Sequence, residues 1–106
     1  QGHVDGTGTI ESLTDLGDFL DIQFIMPTQI KRYIVEKGFI AVDGVSLTVS
    51  QRNPSSFVVA MIPYTYQNTI MGEKHPGDIV NFEVDILAKY VESLLEEHMS
   101  RKPNLE

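Results

Sequence analysis

The chain has 106 residues, no cysteine, and 15 acidic against 8 basic side chains, with a formal net charge of -7 at pH 7. This length allows one domain with one modest core, and the lack of cysteine excludes disulfides and thiolate metal sites. The acidic balance and the absence of a basic patch argue against nucleic acid as a partner. No apolar run approaches the roughly 18 residues of a membrane span, and no targeting leader is evident. We therefore expect a cytoplasmic protein that has no membrane partner.

Alternating apolar and polar residues predict six short strands. They cover 2–13, 19–26, 37–50 (two strands around an Asp43-Gly44 turn), 57–62 and 79–85. Further turns are predicted around Gly17 and over 75–78. Six short strands favour a closed antiparallel barrel, because closure removes exposed sheet edges. The expected fold class is therefore all-β.

Two helical segments are predicted beside these strands. Thr28 follows Pro27 and is expected to cap a short helix over 29–36, with Gly38 at its carboxyl end. Another single turn is expected within 64–70. From residue 86 the apolar period changes to about three and a half, which predicts a C-terminal α-helix. Its apolar stripe consists of Ile86, Leu87, Tyr90, Val91, Leu94 and Leu95. The stripe could pack on its own barrel or associate with other copies of the chain, and the residues alone leave both open.

A row of hydroxyl groups follows the Asp43-Gly44 turn. Val45, Leu47 and Val49 alternate with Ser46, Thr48 and Ser50, so the hydroxyls are expected on the outer face, near Asp43 and Lys37. Such a row suits a polar heterocycle or a polyol. On spacing alone, the solvated face of a half-buried strand is the more usual explanation.

Two other groups have a structural and a functional interpretation. His3, two residues before Asp5, could transfer protons or be an ordinary surface histidine. The three histidines share no metal-ligand spacing, and we predict no metal site. Ile62, Tyr64 and Thr65 end a buried strand, either as a plain terminus or as a rim that covers a planar ring.

Several short sequence segments, taken in their order along the chain, resemble a known family. They are Gly2 to Gly6, residues 33–49, Tyr64-Thr65, and Gly77 to Asp85. Together these segments resemble the C-terminal barrel of riboflavin synthase of the trimeric bacterial, fungal and plant type, over residues 2–95.

The resemblance implies a six-stranded Greek-key barrel over 1–85, and a C-terminal helix and tail over 86–106. It also implies a reaction, in which two molecules of 6,7-dimethyl-8-ribityllumazine dismutate to riboflavin and 5-amino-6-ribitylaminouracil. No cofactor or metal is implied. Position by position, the resemblance implies the following roles: Ser46 and Thr48 line the lumazine site; Ile62, Tyr64 and Thr65 form the opposing rim; Gly2 and His3 cover the ring; Lys37, Asp43 and Asp85 lie in the site or support it. Proton handling then falls to His3 and Ser46.

One departure from the family limits this expectation. Its subunits carry two such barrels, and the site forms between the N-terminal barrel of one subunit and the C-terminal barrel of another. This chain has a single barrel and begins with Gln1, which indicates a processed chain or a fragment. We therefore expect half of a site, weak ligand binding, and little or no turnover by the isolated chain. In the family the C-terminal helix mediates trimer contacts, which favours a homo-oligomer. The alternatives are a non-catalytic lumazine or flavin carrier, and a barrel retained only for assembly.

Overall fold

The computed structural model describes residues 4–84 and 86–100, apart from the side chains of Ile86, Ala88, Glu92 and Ser100. Within these ranges the strands are β1 (Gly6–Asp15), β2 (Leu20–Ile25), β3 (Phe39–Val42), β4 (Val45–Arg52), β5 (Ser56–Met61) and β6 (Ile79–Val84). All pairs are antiparallel, and they close a barrel in the order β1-β2-β5-β4-β3-β6. The predicted six-stranded antiparallel barrel is confirmed.

The strand order is that of a Greek key. Strands β3, β4 and β5 are neighbours in sequence and in space, and β6 then returns to lie beside β3. This return brings a distant segment against the β3–β4 hairpin. Ala41 of β3 pairs with Ser46 on one side and with Glu83 of β6 on the other.

Three phenylalanines fill the centre of the barrel. Phe24, Phe57 and Phe82 are fully buried, and their ring centroids lie 5.2 to 5.9 Å apart in one stacked and two edge-to-face contacts. Gly8 on β1 makes room for them. A Cβ atom at Gly8 would lie 2.6 Å from the Phe82 ring and 2.0 Å from the carbonyl oxygen of Ile25. Close packing of β1 on the core therefore requires glycine at this position.

The apolar residues that alternate along the predicted strands face inward, as this alternation predicts. The buried residues include Leu20, Ile22, Phe24, Met26, Leu47, Val49, Val80, Phe82 and Val84, while Val45 is half-buried. Burial alternates with exposure along β2, β4 and β6 because successive side chains of a strand point to opposite faces.

The short helix predicted over 29–36 is wrong in type and in length. The chain forms a 3₁₀ helix over Thr28–Tyr33, and the next residue, Ile34, is already extended with φ -99° and ψ 114°. Thr28 does not cap this helix, because Pro27 occupies the N-cap position and no side chain caps it. Ile34 is 2% exposed and packs into the core, and the chain leaves the helix to bury it.

The other helices follow β5 and β6. They are α1 (Pro63–Gln67), a 3₁₀ helix over Ile70–Glu73, and the longer α2 (Ile86–Ser100). Lys89 ties α2 to the barrel, with its Nζ atom 2.7 Å from Asp5 Oδ1. The described stripe residues Leu87, Tyr90, Val91, Leu94 and Leu95 are 47% to 65% exposed. The described part of the barrel therefore leaves much of this stripe uncovered. None of the helices in the described ranges has the length and apolar character needed to cross a membrane.

Candidate functional site

The predicted hydroxyl row lies on the outside of the barrel, as expected. Ser46 and Thr48 of β4 are exposed, and their partners on β3 are Ala41 and Phe39. Since Ala41 also pairs with Glu83, a continuous row of outward positions crosses three strands. We call the outward surface formed by Phe39, Ala41, Ser46, Thr48 and Glu83 the Ser46 face.

Two shallow depressions meet on the Ser46 face. One, of about 200 Å³, is lined by Phe39, Ala41, Ser46 and Glu83 together with parts of Ile40 and Val84. The other, of about 260 Å³, extends from Ala41 and Glu83 toward Val4, Asp43, Gly44, Asn81 and Phe82. Ala41 and Glu83 belong to both, so the depressions are contiguous. An aromatic ring, a hydroxyl and a carboxylate therefore surround an open floor that suits a flat ligand with a polar substituent.

Asp43 anchors the turn beside this floor. Asp43 and Gly44 have φ values of 48° and 84°, as a two-residue type I′ hairpin requires. Asp43 Oδ1 accepts a hydrogen bond of 2.8 Å from the Asn81 backbone N–H, and the Asp43 N–H donates to the Asn81 carbonyl at 2.9 Å. Asp43 Oδ2 forms an ion pair with Lys74 Nζ at 3.2 Å. These contacts join the β3–β4 turn to β6.

Lys37 lies two residues before β3, on the Thr48 side of the face. Gly38 was expected to end a helix here, but Lys37 is the residue that takes the left-handed conformation, with φ 69°. Its backbone N–H donates to the Val49 carbonyl at 2.7 Å. The exposed Lys37 ammonium group makes no hydrogen bond or ion pair with the residues that the structure describes.

The predicted rim lies at the end of β5. Ile62 and Tyr64 are 57% and 72% exposed, while Thr65 is half-buried within α1. Strand β5 neighbours β4 on the side away from β3, so the rim and the two depressions lie on opposite sides of β4. The structure thus divides the predicted residues into a group around the β3–β4 hairpin and a group after β5.

Gly2, His3 and Asp85 lie outside the described residues, and their predicted roles stay predictions. The chain next to them is described. Val4 lines the second depression, and the Asp5 N–H donates to the Phe82 carbonyl at 2.7 Å. Asp5 Oδ2 also accepts from the Val84 N–H at 2.9 Å.

Phe39, Ala41 and Glu83 were not predicted as site residues. Alternation along residues 79–84 placed Glu83 on the outside, and that signal was available in the sequence. Local sequence patterns do not show that β3 pairs with β6. This pairing makes Glu83 a neighbour of the hydroxyl row. In the described ranges, no group of three or more potential metal ligands is close enough together to hold a metal ion.

Comparison with known proteins gives consistent matches. A sequence model of the lumazine binding domain family matches residues 1–85. Riboflavin synthase of Actinobacillus pleuropneumoniae is 44% identical over 94 residues, which are 89% of this chain and 44% of that protein. Riboflavin synthase of Schizosaccharomyces pombe is 43% identical over 102 residues, which are 94% of this chain and 49% of that protein. The chain therefore spans about half the length of these curated relatives.

A solved structure also has this fold. It is the crystal structure of LumP complexed with 6,7-dimethyl-8-(1'-D-ribityl) lumazine, which matches with a TM-score of 0.71 and 26% sequence identity. The match covers 79% of this chain and 46% of the LumP chain.

Proposed function

Because the chain belongs to the lumazine-binding domain family, we propose that it supplies one half of a riboflavin synthase active site. In this reaction one 6,7-dimethyl-8-ribityllumazine molecule gives a four-carbon unit to a second one. The products are riboflavin and 5-amino-6-ribitylaminouracil. The observation that carries the proposal is the identity of 43% to 44% with riboflavin synthases, over 89% to 94% of this chain.

The ligand in this proposal binds on and beside the Ser46 face. The Ser46 and Thr48 hydroxyls can donate to and accept from heterocycle and ribityl oxygens, because a hydroxyl carries both functions. Ile62 and Tyr64 supply apolar cover for the ring, and Thr65 binds its edge. The exposure of Ser46, Thr48, Ile62 and Tyr64 supports these roles, since each side chain is accessible to a ligand from solvent.

The chemistry also requires a proton to leave an acidic methyl group and a nucleophile to add to the ring. We assign proton handling to His3 and Ser46, because imidazole titrates near neutral pH and the Ser46 hydroxyl lies on the floor of the face. Gly2 and Asp85 complete the site in this assignment. Lys37 offers a cation at the Thr48 side of the face, and Asp43 supports the turn.

A second barrel is needed for the second lumazine. We propose the N-terminal barrel of another riboflavin synthase subunit as this partner, and homo-oligomer contacts through α2. The uncovered stripe of α2 supports the latter, because exposed apolar faces of this kind are typical of association surfaces. The cytoplasmic location expected from the sequence stays a prediction.

A non-catalytic carrier of lumazine or flavin is the second candidate. The structural match to LumP in complex with a ribityl lumazine is the observation that favours it. The enzyme interpretation has the stronger support, since the riboflavin synthases are more similar in sequence. Both candidates require ligand binding, and they differ in turnover once a partner barrel is present.

Ligand binding is tested by fluorescence titration of the chain with riboflavin and with the lumazine. We expect saturable binding of both, and we expect Thr48→Ala to weaken it roughly fivefold through the loss of one hydrogen bond. Thr14→Ala is the matched control, because Thr14 is also exposed but belongs to β1, outside the Ser46 face. If the unaltered chain binds neither ligand, the proposed function is wrong.

A further inference from the structure

We propose that Glu83 is a specificity-determining residue that binds the polyol side chain of the ligand. This inference rests on the proposed function of the Ser46 face and adds a residue and a selectivity to it. The ligand class is a planar heterocycle that carries a hydroxylated alkyl chain.

The position of Glu83 is the first argument. Ala41 separates Glu83 from Ser46 in the pairing of the three strands, and neighbouring strands lie about 4.8 Å apart. Glu83 is therefore roughly 10 Å across the face from the hydroxyl row. That distance suits a ligand whose ring lies by the hydroxyls of β4 and whose side chain crosses the floor.

The second argument is that the fold does not use the Glu83 carboxylate. Asp43 is engaged by the Asn81 N–H and by Lys74, and Asp5 by the Val84 N–H and Lys89. Glu83 is half-buried between the two depressions, yet it forms no hydrogen bond or ion pair with any residue the structure describes.

The chemistry of the carboxylate indicates the ligand group. A carboxylate only accepts hydrogen bonds, and its two oxygens can accept from two adjacent hydroxyl groups at once. A ribityl chain presents several neighbouring hydroxyl donors, whereas a lumazine ring offers a single donor, its N3–H group, among oxygen and nitrogen acceptors. Glu83 should therefore attract the side chain rather than the ring.

The small side chain of Ala41 is the third argument. It forms the common floor of both depressions, and a larger residue there would fill the space between Ser46 and Glu83. Ala41→Leu should therefore exclude the side chain from this path.

The test compares two flavins that share a ring system and differ in the side chain. Riboflavin carries the ribityl chain, and lumiflavin carries a methyl group in its place. Binding of each is measured by fluorescence titration for the unaltered chain, Glu83→Ala, Glu83→Gln and Ala41→Leu. We expect Glu83→Ala to weaken riboflavin binding about tenfold, as for the loss of hydrogen bonds to a charged acceptor, and to change lumiflavin binding less than about twofold. Glu83→Gln keeps the shape and one acceptor, and should fall between.

Glu11→Ala is the control, because Glu11 is an exposed acid on β1 that lines neither depression. Equal weakening of both flavins in Glu83→Ala and Glu83→Gln would overturn the inference, as would unchanged riboflavin binding. If the unaltered chain binds both flavins equally well, the site exists but Glu83 does not select the polyol. Failure of the unaltered chain to bind either flavin would instead overturn the proposed function and the inference with it.

Discussion

Asp5 and Asp43 each join another part of the chain to β6, the strand that carries Glu83 of the Ser46 face. Each carboxylate accepts a hydrogen bond from a backbone N–H group of β6. Asp5 accepts from Val84, and Asp43 accepts from Asn81. Each also has a lysine partner, Lys89 or Lys74. Loss of either carboxylate would leave a backbone donor without its acceptor, and such losses cost more than a simple surface ion pair contributes.

The contribution of Asp5 can be measured with two substitutions. Asp5→Ala should lower the free energy of unfolding by about 2 kcal/mol, because the Val84 N–H loses its partner. Asp5→Asn should lower it by about 1 kcal/mol or less, since the amide oxygen can still accept while the ion pair with the 40% exposed Lys89 is lost. Urea unfolding gives both values, with Asp18→Ala in an exposed turn as the control. Equal effects of the two Asp5 variants would mean that the charge pair, and not the backbone hydrogen bond, is what matters.

At the scale of elements, periodicity was sufficient wherever burial alternates. The inward faces of β2, β4 and β6, the Asp43-Gly44 turn and the start of α2 followed from local patterns, because a half-buried strand must alternate. The helix predicted over 29–36 was wrong, because the chain becomes extended at Ile34 and buries that residue in the core despite the local helical pattern. Glu83 became a site residue only through the return of β6 to β3, a long-range contact that no local pattern contains.

Helix α2 presents its apolar stripe to solvent although it begins directly after the barrel. Val91 and Leu94 are 53% and 47% exposed, and isolated helices of about 15 residues are marginally stable in water. We therefore expect the helix to gain stability from a partner surface, in addition to its contacts with the barrel, which include the Lys89–Asp5 and Arg32–Glu96 ion pairs. Another copy of α2 has the matching apolar stripe.

Self-association through this stripe is tested by two variants that introduce a negative charge, one within the stripe and one outside it. We expect Leu94→Glu to convert the oligomer to a monomer in sedimentation equilibrium, because the new carboxylate would be buried without a partner. Ser93→Glu introduces the same charge on the adjacent residue, outside the stripe, and should leave the assembly intact. At concentrations low enough for both variants to be monomeric, Leu94→Glu and Ser93→Glu should unfold at the same temperature. A Leu94→Glu barrel that unfolds much earlier would show that the stripe packs on its own barrel instead.

At the scale of the whole molecule, one barrel presents one Ser46 face, whereas the proposed reaction joins two lumazines. Curated riboflavin synthases are about twice as long as this chain. Holding two reactants in the correct geometry can supply a large part of the rate acceleration in a reaction between two molecules of the same substrate. In the proposed function, a single Ser46 face binds one lumazine and leaves no second face to align another one against it.

Turnover should therefore depend on a partner barrel. We expect the dilute chain to bind lumazine and to form little or no riboflavin, and we expect added N-terminal halves of a riboflavin synthase to raise the rate in proportion to the pairs formed. The same experiment with Thr48→Ala separates pairing from binding, since this variant keeps the barrel but loses a ligand hydrogen bond. Riboflavin formation that needs the added half supports the enzyme, and binding without turnover even at saturating partner supports the carrier. A full rate per chain at every dilution, with no partner, would contradict the half-site, because two aligned lumazines would then lie on one barrel.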